Sequence, residues 1–433
     1  MPQQPAPTLE DLLQATHDKH YEVRLAAVRA LGQQGADQAV GTLIDALRDD
    51  ECYVRMAAAE ALGSIRNAQA VAPLIRALSD PSVGVHGTAA CALGMIGVAA
   101  LPALLTVLSS PDGQVRQAAA FALGRIRDRQ AAVPLASLIH DRRRDVRQAA
   151  VQALGQIADP SSLQLLAQAL TDCESRVCQA AALALGAFGA AAHPLLEQAL
   201  RTDDAEVRRA CVQALSQVQG PIVIPALVKA LADYNPNVRA AAALALGTRE
   251  PDHALPPLLT ALQDRDDRVR QAAVHALGQI ADPQTESLLL CSLSDHDVGV
   301  RQAAAAALDQ RGWQPAETST DAIYWIAKQM WDTCIALGAL AVEPLIAALK
   351  YRDDAFRISV VQTLGQSCGP ATLAQAVRAL LDTLQHDAYW DVRAAAARVL
   401  EELPIAGRTD VTQALTRFVQ AYEEYLLLHD DDE

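Results

Sequence analysis

The stretch Val146-Arg147-Gln148-Ala149-Ala150-Val151-Gln152-Ala153-Leu154-Gly155 returns in variant form about every 31 residues, almost from one end of the chain to the other. Taking its leading valine as the origin of each repeat, the origins fall at Val23, Val54, Val85, Val115, Val146, Val177, Val207, Val238, Val269, Val300, Phe356 and Val392, twelve copies in 433 residues. A fixed period of this size implies a solenoid, in which each unit buries its apolar face only against its neighbours. Within each copy two alanines, a following alanine-leucine and a glycine sit at helical spacing, so one narrow face is small and apolar. This is helix B. Its glycine (Gly32, Gly63, Gly94, Gly124, Gly155, Gly186, Gly247, Gly278, Gly365) stands just past the last apolar position, and is expected to end the helix in the left-handed conformation.

About 21 residues after each origin a second apolar stretch begins, as in Ala72-Pro73-Leu74-Ile75-Arg76-Ala77-Leu78. Its proline belongs in the first helical turn, where no amide donor is needed. This is helix A, with prolines in equivalent places at Pro102, Pro134, Pro194, Pro225, Pro257 and Pro344. Asn235-Pro236 starts a B helix in the same way. The unit is therefore a helical hairpin, and about twelve of them make an all-α superhelix.

Two polar positions repeat as well. Aspartate stands five residues before the origin (Asp18, Asp49, Asp80, Asp141, Asp172, Asp233, Asp264, Asp295, Asp387), and arginine directly after it in ten of the twelve copies. The aspartate is placed to accept amides at the start of helix B. A guanidinium from the neighbouring repeat can bind it bidentately and tie unit to unit. The arginine fails at His86 and Cys178, either as a local binding or kinking feature or as neutral loss of a rung.

A helix of the form xPLxxAL, then aspartate, then VRxAAxxALGxIG at this period resembles the HEAT-like repeats of the armadillo superfamily, in the short form named after phycocyanobilin lyases. The resemblance covers roughly residues 9 to 310 and 336 to 403. It implies a right-handed stack with the B helices lining a concave side, and a function among bilin lyases, metal hydroxylases and protein-binding scaffolds. With helices about 8 to 10 Å apart, the array would have a contour of roughly 100 Å. One elongated array follows, divided here into repeats over 1–310, a Trp-rich insert over 311–335, and repeats with a capping helix over 336–433.

Composition narrows the function. Aromatic content is 4% and the formal charge is −15, with only four lysines among 36 basic residues, so the phosphate backbone of nucleic acid is not a general partner. Arg142-Arg143-Arg144 lies between Asp141 and Asp145 and reads as a solvated turn. The eight cysteines form no CxxC pair and are expected reduced. The polar opening Met1-Pro2-Gln3-Gln4-Pro5, with no signal peptide and no apolar stretch seen to approach 18 residues, leads to the expectation of a soluble cytoplasmic protein with no membrane contact.

On helix B the positions two, six and ten after each origin are free of the apolar face, and sequence varies most there. Repeat two places Met56 and Glu60 on this stripe, repeat three Gly87, Cys91 and Met95, and repeat four Gln117, Phe121 and Arg125. Gln148 and Gln152 follow in repeat five, Leu183 in repeat six, Leu244 in repeat eight and His275 in repeat nine. Methionine and phenylalanine on such a stripe suggest an adaptable apolar patch for a partner helix or flat ligand.

The chain opens with residues 1 to 7 as a loose tail and Thr8 capping a first A helix. Between Val300 and Phe356 the spacing is 56 residues rather than 31, and the insert holds Trp313, Trp325 and Trp331. It is either a binding element or a plug for a wider gap between sub-arrays. A terminal helix over about Val411 to Leu428 is expected to cap the stack before the acidic tail Asp430-Asp431-Asp432-Glu433.

No nucleophile elbow, phosphate-cradling glycine loop or His-x-x-x-His helix is present. The resemblance implies His-Glu dipeptides in iron-dependent hydroxylases of this repeat class, and this chain has none. The reading is a non-enzymatic scaffold or adaptor without cofactor, binding a protein on its concave B-helix face. The alternative is a bilin lyase or bilin-binding chaperone for phycobiliproteins, with the tetrapyrrole seated on Met56, Cys91, Met95 and Phe121.

Overall fold

The structure, a computed structural model, describes residues 7–35, 37–316, 318–405 and 408–429; the expected acidic tail Asp430–Glu433 and residues 1–6 of the expected N-terminal tail lie outside them. The chain folds as two compact units, Met1–Ala230 and Leu231–Glu433. The first carries B helices Tyr21–Gln34, Cys52–Ile65, Val83–Ile96, Gly113–Ile126, Arg144–Ile157, Ser175–Gly186 and Ala205–Gln217. The second carries Pro236–Gly247, Asp267–Gln279, Val298–Gln310, Asp354–Ser367 and Trp390–Glu402. The unit boundary falls between the A and B helices of repeat eight, where the period itself is unbroken.

Within each unit successive B helices pack on one another, except that between Val298–Gln310 and Asp354–Ser367 the insert intervenes, and each takes an A helix against its buried side. A helices are short, as in Val71–Ala77 and Leu101–Val107, and each of these two follows a 3-10 turn. Pro102, Pro194 and Pro225 sit second in their helices, as expected, and Pro73 and Pro134 third. In Pro251–Ala261 and Ala339–Ala348 the A helix extends further toward its N-terminus, so Pro257 and Pro344 lie inside it. Asn235 caps its helix through the Asn237 amide at 2.8 Å, and Thr8 forms a reciprocal capping box with Asp11 at the first helix, Leu9–Ala15.

Most period glycines lie inside the B helices, and although Gly186 and Gly247 are the last residues of theirs, none of the nine adopts the left-handed conformation, which corrects the sequence expectation. Gly155 lies inside Arg144–Ile157, and the left-handed residue is Ala158, three positions on (φ 51°). The glycine serves instead for close approach: a Cβ on Gly155 would meet the Ala184 Cβ at 2.5 Å and its Cα at 2.8 Å. Gly32 stands the same way against Ala61, Gly63 against Ala92 and Gly247 against Ala276. Small residues on both faces leave no room for a further methyl between the helices at these points.

The polar ladder forms. Arg147 binds Asp172 of the next repeat through Nε and Nη2, at 2.7 and 2.8 Å, and gives Nη1 to the Asp141 carbonyl at 2.9 Å. The Asp172 Oδ1 also accepts the amide of Glu174, the residue just before helix Ser175–Gly186. The same pairing joins Arg24 to Asp49, Arg55 to Asp80 and Arg116 to Asp141 in the first unit, and Arg239 to Asp264, Arg270 to Asp295 and Arg357 to Asp387 in the second.

The expectation that no apolar stretch approaches 18 residues is overturned. Val83–Val107 is 25 residues long with hydropathy 2.1, enough by length and composition to cross a bilayer. In the fold it is bent at Gly97 (φ 81°) into B helix Val83–Ile96 and A helix Leu101–Val107. Val85, Leu93 and Leu104 from this run are fully or almost fully buried in the array.

The insert supplies two helices, Ser319–Ala327 and Trp331–Leu337. Tyr324 is buried, and Trp325 and Trp331 pack against the core of the second unit. Trp331 stands edge-on to Phe356 at 5.3 Å. Asp309, which replaces a period glycine, accepts the Tyr324 hydroxyl and pairs with Lys328 at 2.9 Å, so it anchors the insert. The last helix, Thr409–His429, lies against the final hairpin, with Trp390 against both Phe418 and Tyr422 at 5.9 and 5.7 Å.

Candidate functional site

A B helix has three committed directions: toward its A helix, toward the preceding repeat and toward the following one. What remains is a strip carrying the residues six and ten after the origin. Those at six (Arg29, Glu60, Phe121, Gln152, Leu183, Gln213 in the first unit; Leu244, His275, Ala306, Gln362, Arg398 in the second) are exposed at every repeat but the third. Those at ten, such as Gln33, Ser64 and Arg125, follow the same rule.

The positions two after the origin behave differently. Met56, Gln117 and Gln148 are half-buried, because that side faces the following repeat. The Met56 sulfur occupies the space a side chain on Gly84 would take, 2.6 Å from its absent Cβ, and Met95 lies across Gly63 at 3.5 Å. The two methionines therefore fill gaps left by glycines, and Cys91 is half-buried beside them in repeat three. Of the apolar patch read from the sequence, only Phe121 is open, at 38% exposure. Gly87 and Arg125 are exposed, as are Glu60, Gln152 and His275. Leu183 and Leu244 are more exposed than Phe121, at 49% and 43%.

The strip opens into grooves between neighbouring B helices. In the first unit a groove of about 430 Å³ is lined by Arg29, Gly32, Gln33, Ala57, Glu60, Ala61 and Ser64. In the second a groove of about 460 Å³ is lined by Gln362, Gly365, Gln366, Ala395, Arg398, Val399, Glu402 and Leu403. Gln362, Gln366, Arg398 and Glu402 were not singled out from the sequence, yet they stand at the same six and ten offsets from Phe356 and Val392. A third cleft, at the turns of the second unit, is lined by Arg265, Asp267, Arg270, Asp295, His296, Asp297, Val298, Arg352 and Asp353.

Ladder chemistry sets the electrostatics beside the strip. Burial pushes the Asp172 carboxyl up, but the Arg147 guanidinium and the Glu174 amide outweigh it and hold the group below the usual carboxylate range. Asp49, Asp80, Asp141, Asp264 and Asp295 are lowered in the same way. Among the cysteines, burial, with the nearby Cys178 thiol, pushes Cys211 up to about 12. Such a thiol is a poor nucleophile. Cys173 and Cys291 are exposed. Among the described residues no three His, Cys, Asp or Glu side chains converge as a metal-ligand set.

A family model described as HEAT repeats matches residues 9–94, 101–186, 176–247, 192–273, 224–309, 255–334 and 333–401. No curated protein sequence matches the chain. Among solved structures it is similar to Kap95p, in a structure titled for the binding that switches the loops of RanGDP: identity is 16%, with 99% of this chain and 64% of that chain covered and a TM-score of 0.51. It thus spans somewhat less than two thirds of Kap95p. Importin beta in an ammonium sulfate condition is similar at 16% identity, covering 98% of this chain and 69% of that one, TM-score 0.48. The complex of CpcE and CpcF of phycocyanin lyase from Nostoc sp. PCC7120 shows 23% identity, 62% and 94% coverage, and a TM-score of 0.28.

Proposed function

Because this chain belongs to the HEAT-repeat family, we propose that it is a non-enzymatic cytoplasmic scaffold or adaptor that seats a protein partner on the concave B-helix face of its array. The observation that carries this reading is the strip six and ten residues after each origin. It is exposed although both flanks are committed to packing, and it sets Phe121 and Leu183 among amides in the first unit and Leu244 in the second. Exposed apolar anchors among polar side chains are what a protein interface needs: an apolar centre and a hydrogen-bonding rim. Kap95p, whose fold is similar, engages another protein, RanGDP.

The bilin reading has less support. Its seat would need Met56, Cys91 and Met95 open, and all three are half-buried in repeat packing.

The test is affinity capture with the full chain and with Phe121→Glu and Leu183→Glu together. Both positions are exposed, so the double variant should keep its thermal unfolding midpoint while losing the partner. Unchanged capture would remove the strip from the reading. A stable visible absorbance after mixing with phycocyanobilin, with transfer to an acceptor thiol, would favour the lyase.

A further inference from the structure

One rung of the second unit keeps its arginine without a carboxylate. On either side of it Arg270 gives Nε and Nη2 to Asp295, and Arg357 gives them to Asp387. Arg301 stands in the same register, but Tyr351 holds the place of its aspartate. The Arg301 side chain is fully buried. Its Nη1 is bonded to the carbonyls of Asp295 and His296 at 2.9 and 3.1 Å, and its Nε and Nη2 have no hydrogen-bond partner. The Tyr351 and Phe356 rings, 3.9 and 4.5 Å from its Cζ, offset part of the cost of burying the charge. They do not supply the paired acceptors that a carboxylate offers a guanidinium.

This arginine lies behind the cleft of about 430 Å³ at the turns of the unit. Asp295 and His296, whose carbonyls hold Nη1, line that cleft, and the His296 ring stands edge-on to the Tyr351 ring at 6.4 Å. Burial pushes the guanidinium below its ordinary range, and the carboxylates that act against this, Asp297, Asp295 and Asp353, all belong to the cleft. Each is engaged elsewhere: Asp295 with Arg270, and Asp297 and Asp353 with the amides of Val300 and Phe356 at 3.0 and 3.1 Å. Arg265 and Arg352 are exposed at the cleft and make no ion pair among the described residues, and Asp267 is the remaining acid of the lining. Among the groups not otherwise paired, three arginines therefore face one aspartate, a surplus of two positive charges.

We propose that this cleft binds a small dicarboxylate. One carboxylate takes Nε and Nη2 of Arg301 bidentately, as Asp295 takes those of Arg270, and the other meets Arg265 and Arg352. Tyr351 is the gate, because its ring covers the guanidinium from the side on which the ladder places its aspartate. The volume suits a small molecule, and the surplus of two charges suits a dianion.

Equilibrium dialysis of the full chain against isotopically labelled succinate, up to about 10 mM, tests this. Saturable uptake of about one succinate per chain is expected. Tyr351→Asp supplies the rung with a carboxylate of the chain's own, so it should raise the urea midpoint and weaken succinate binding by at least about tenfold. Arg301→Met should lose binding to the same extent while remaining folded, and Arg265→Met should weaken it less. A wild-type chain that takes up no succinate overturns the proposal. So does uptake that persists unchanged in Tyr351→Asp or in folded Arg301→Met.

Discussion

The ladder shows how paired residues are lost together. Where the arginine gives way to His86, the carboxylate position of the next repeat holds Ser110; where Cys178 stands, it holds Thr202; and Arg301 meets Tyr351. A buried charge left alone costs more than a missing pair, so at His86 and Cys178 the rung is gone from both sides, whereas Arg301 keeps its charge buried against an aromatic ring in place of the carboxylate. Cys178 gives its thiol to the Asp172 carbonyl at 3.1 Å, taking over a contact that arginine Nη1 makes elsewhere. Arg301 keeps its Nη1 bonds to the Asp295 and His296 carbonyls, while its guanidinium lies over the Tyr351 ring at 3.9 Å and its Nε and Nη2 find no hydrogen-bond partner. The contrast is testable by urea unfolding. Arg147→Met should cost about 3–5 kcal/mol, because Asp172 stays behind buried and unpaired. Arg301→Met, which orphans no carboxylate, should cost about 1 kcal/mol or less. The lowered aspartates give a second expectation. A carboxyl held below its unfolded value of about 3.9 contributes stability that is complete above that value and is lost as pH falls through the lower folded one. The urea midpoint should therefore hold at pH 5 and fall steeply below about pH 4, with a smaller fall in Arg147→Met. The aspartate-arginine pairing was legible because both partners recur. The meaning of His86 and Cys178 was not, since it lies in the residue opposite, a position that only the stacking register identifies.

At the scale of the helix, the glycine period was legible and its reason was not. A sequence shows that a position tolerates no side chain, and a left-handed turn and a close neighbour leave the same mark. The structure separates them, because Gly155 has helical backbone and Ala184 against it. Gly155→Ala gains about 1 kcal/mol of helix propensity, but the methyl must displace backbone, so a net loss of about 1–3 kcal/mol is expected. Gly87 lies mid-helix in Val83–Ile96 with nothing within 4 Å of its would-be Cβ. Gly87→Ala should raise stability by about 0.5–1 kcal/mol. Thermal unfolding of the two variants decides the matter, and equal signs would mean that helix propensity, rather than contact, governs these sites. The methionine patch misled for a related reason. Met56 and Met95 were read as surface because their own helix leaves them outside its apolar face, whereas the gaps they fill are made by Gly84 and Gly63 on other helices.

At the scale of the molecule the stacking order within each unit was legible from the period, since contacts there run between neighbouring hairpins, with the insert standing between repeats ten and eleven. The division at Ala230 was not, because the origins Val207 and Val238 keep their spacing across it. Near-neighbour contacts carry a thermodynamic consequence. In a compact globule any core substitution lowers the stability of the whole, but in an array the loss stays with the unit whose interfaces are weakened. Arg147→Met breaks a link between repeats five and six, deep in the unit Met1–Ala230. The unit Leu231–Glu433 has its own apolar core, built around Leu345, Val360, Leu364, Val377 and Leu400, and none of these residues belongs to the weakened repeats. Amide hydrogen exchange on the intact variant should therefore show protection lost across helices Arg144–Ile157 and Ser175–Gly186 and their neighbours, with the amides of Asp354–Ser367 and Trp390–Glu402 exchanging as in the unaltered chain. Equal loss of protection in both units would mean that folding is cooperative over the full 433 residues, and that near-neighbour additivity fails for this array.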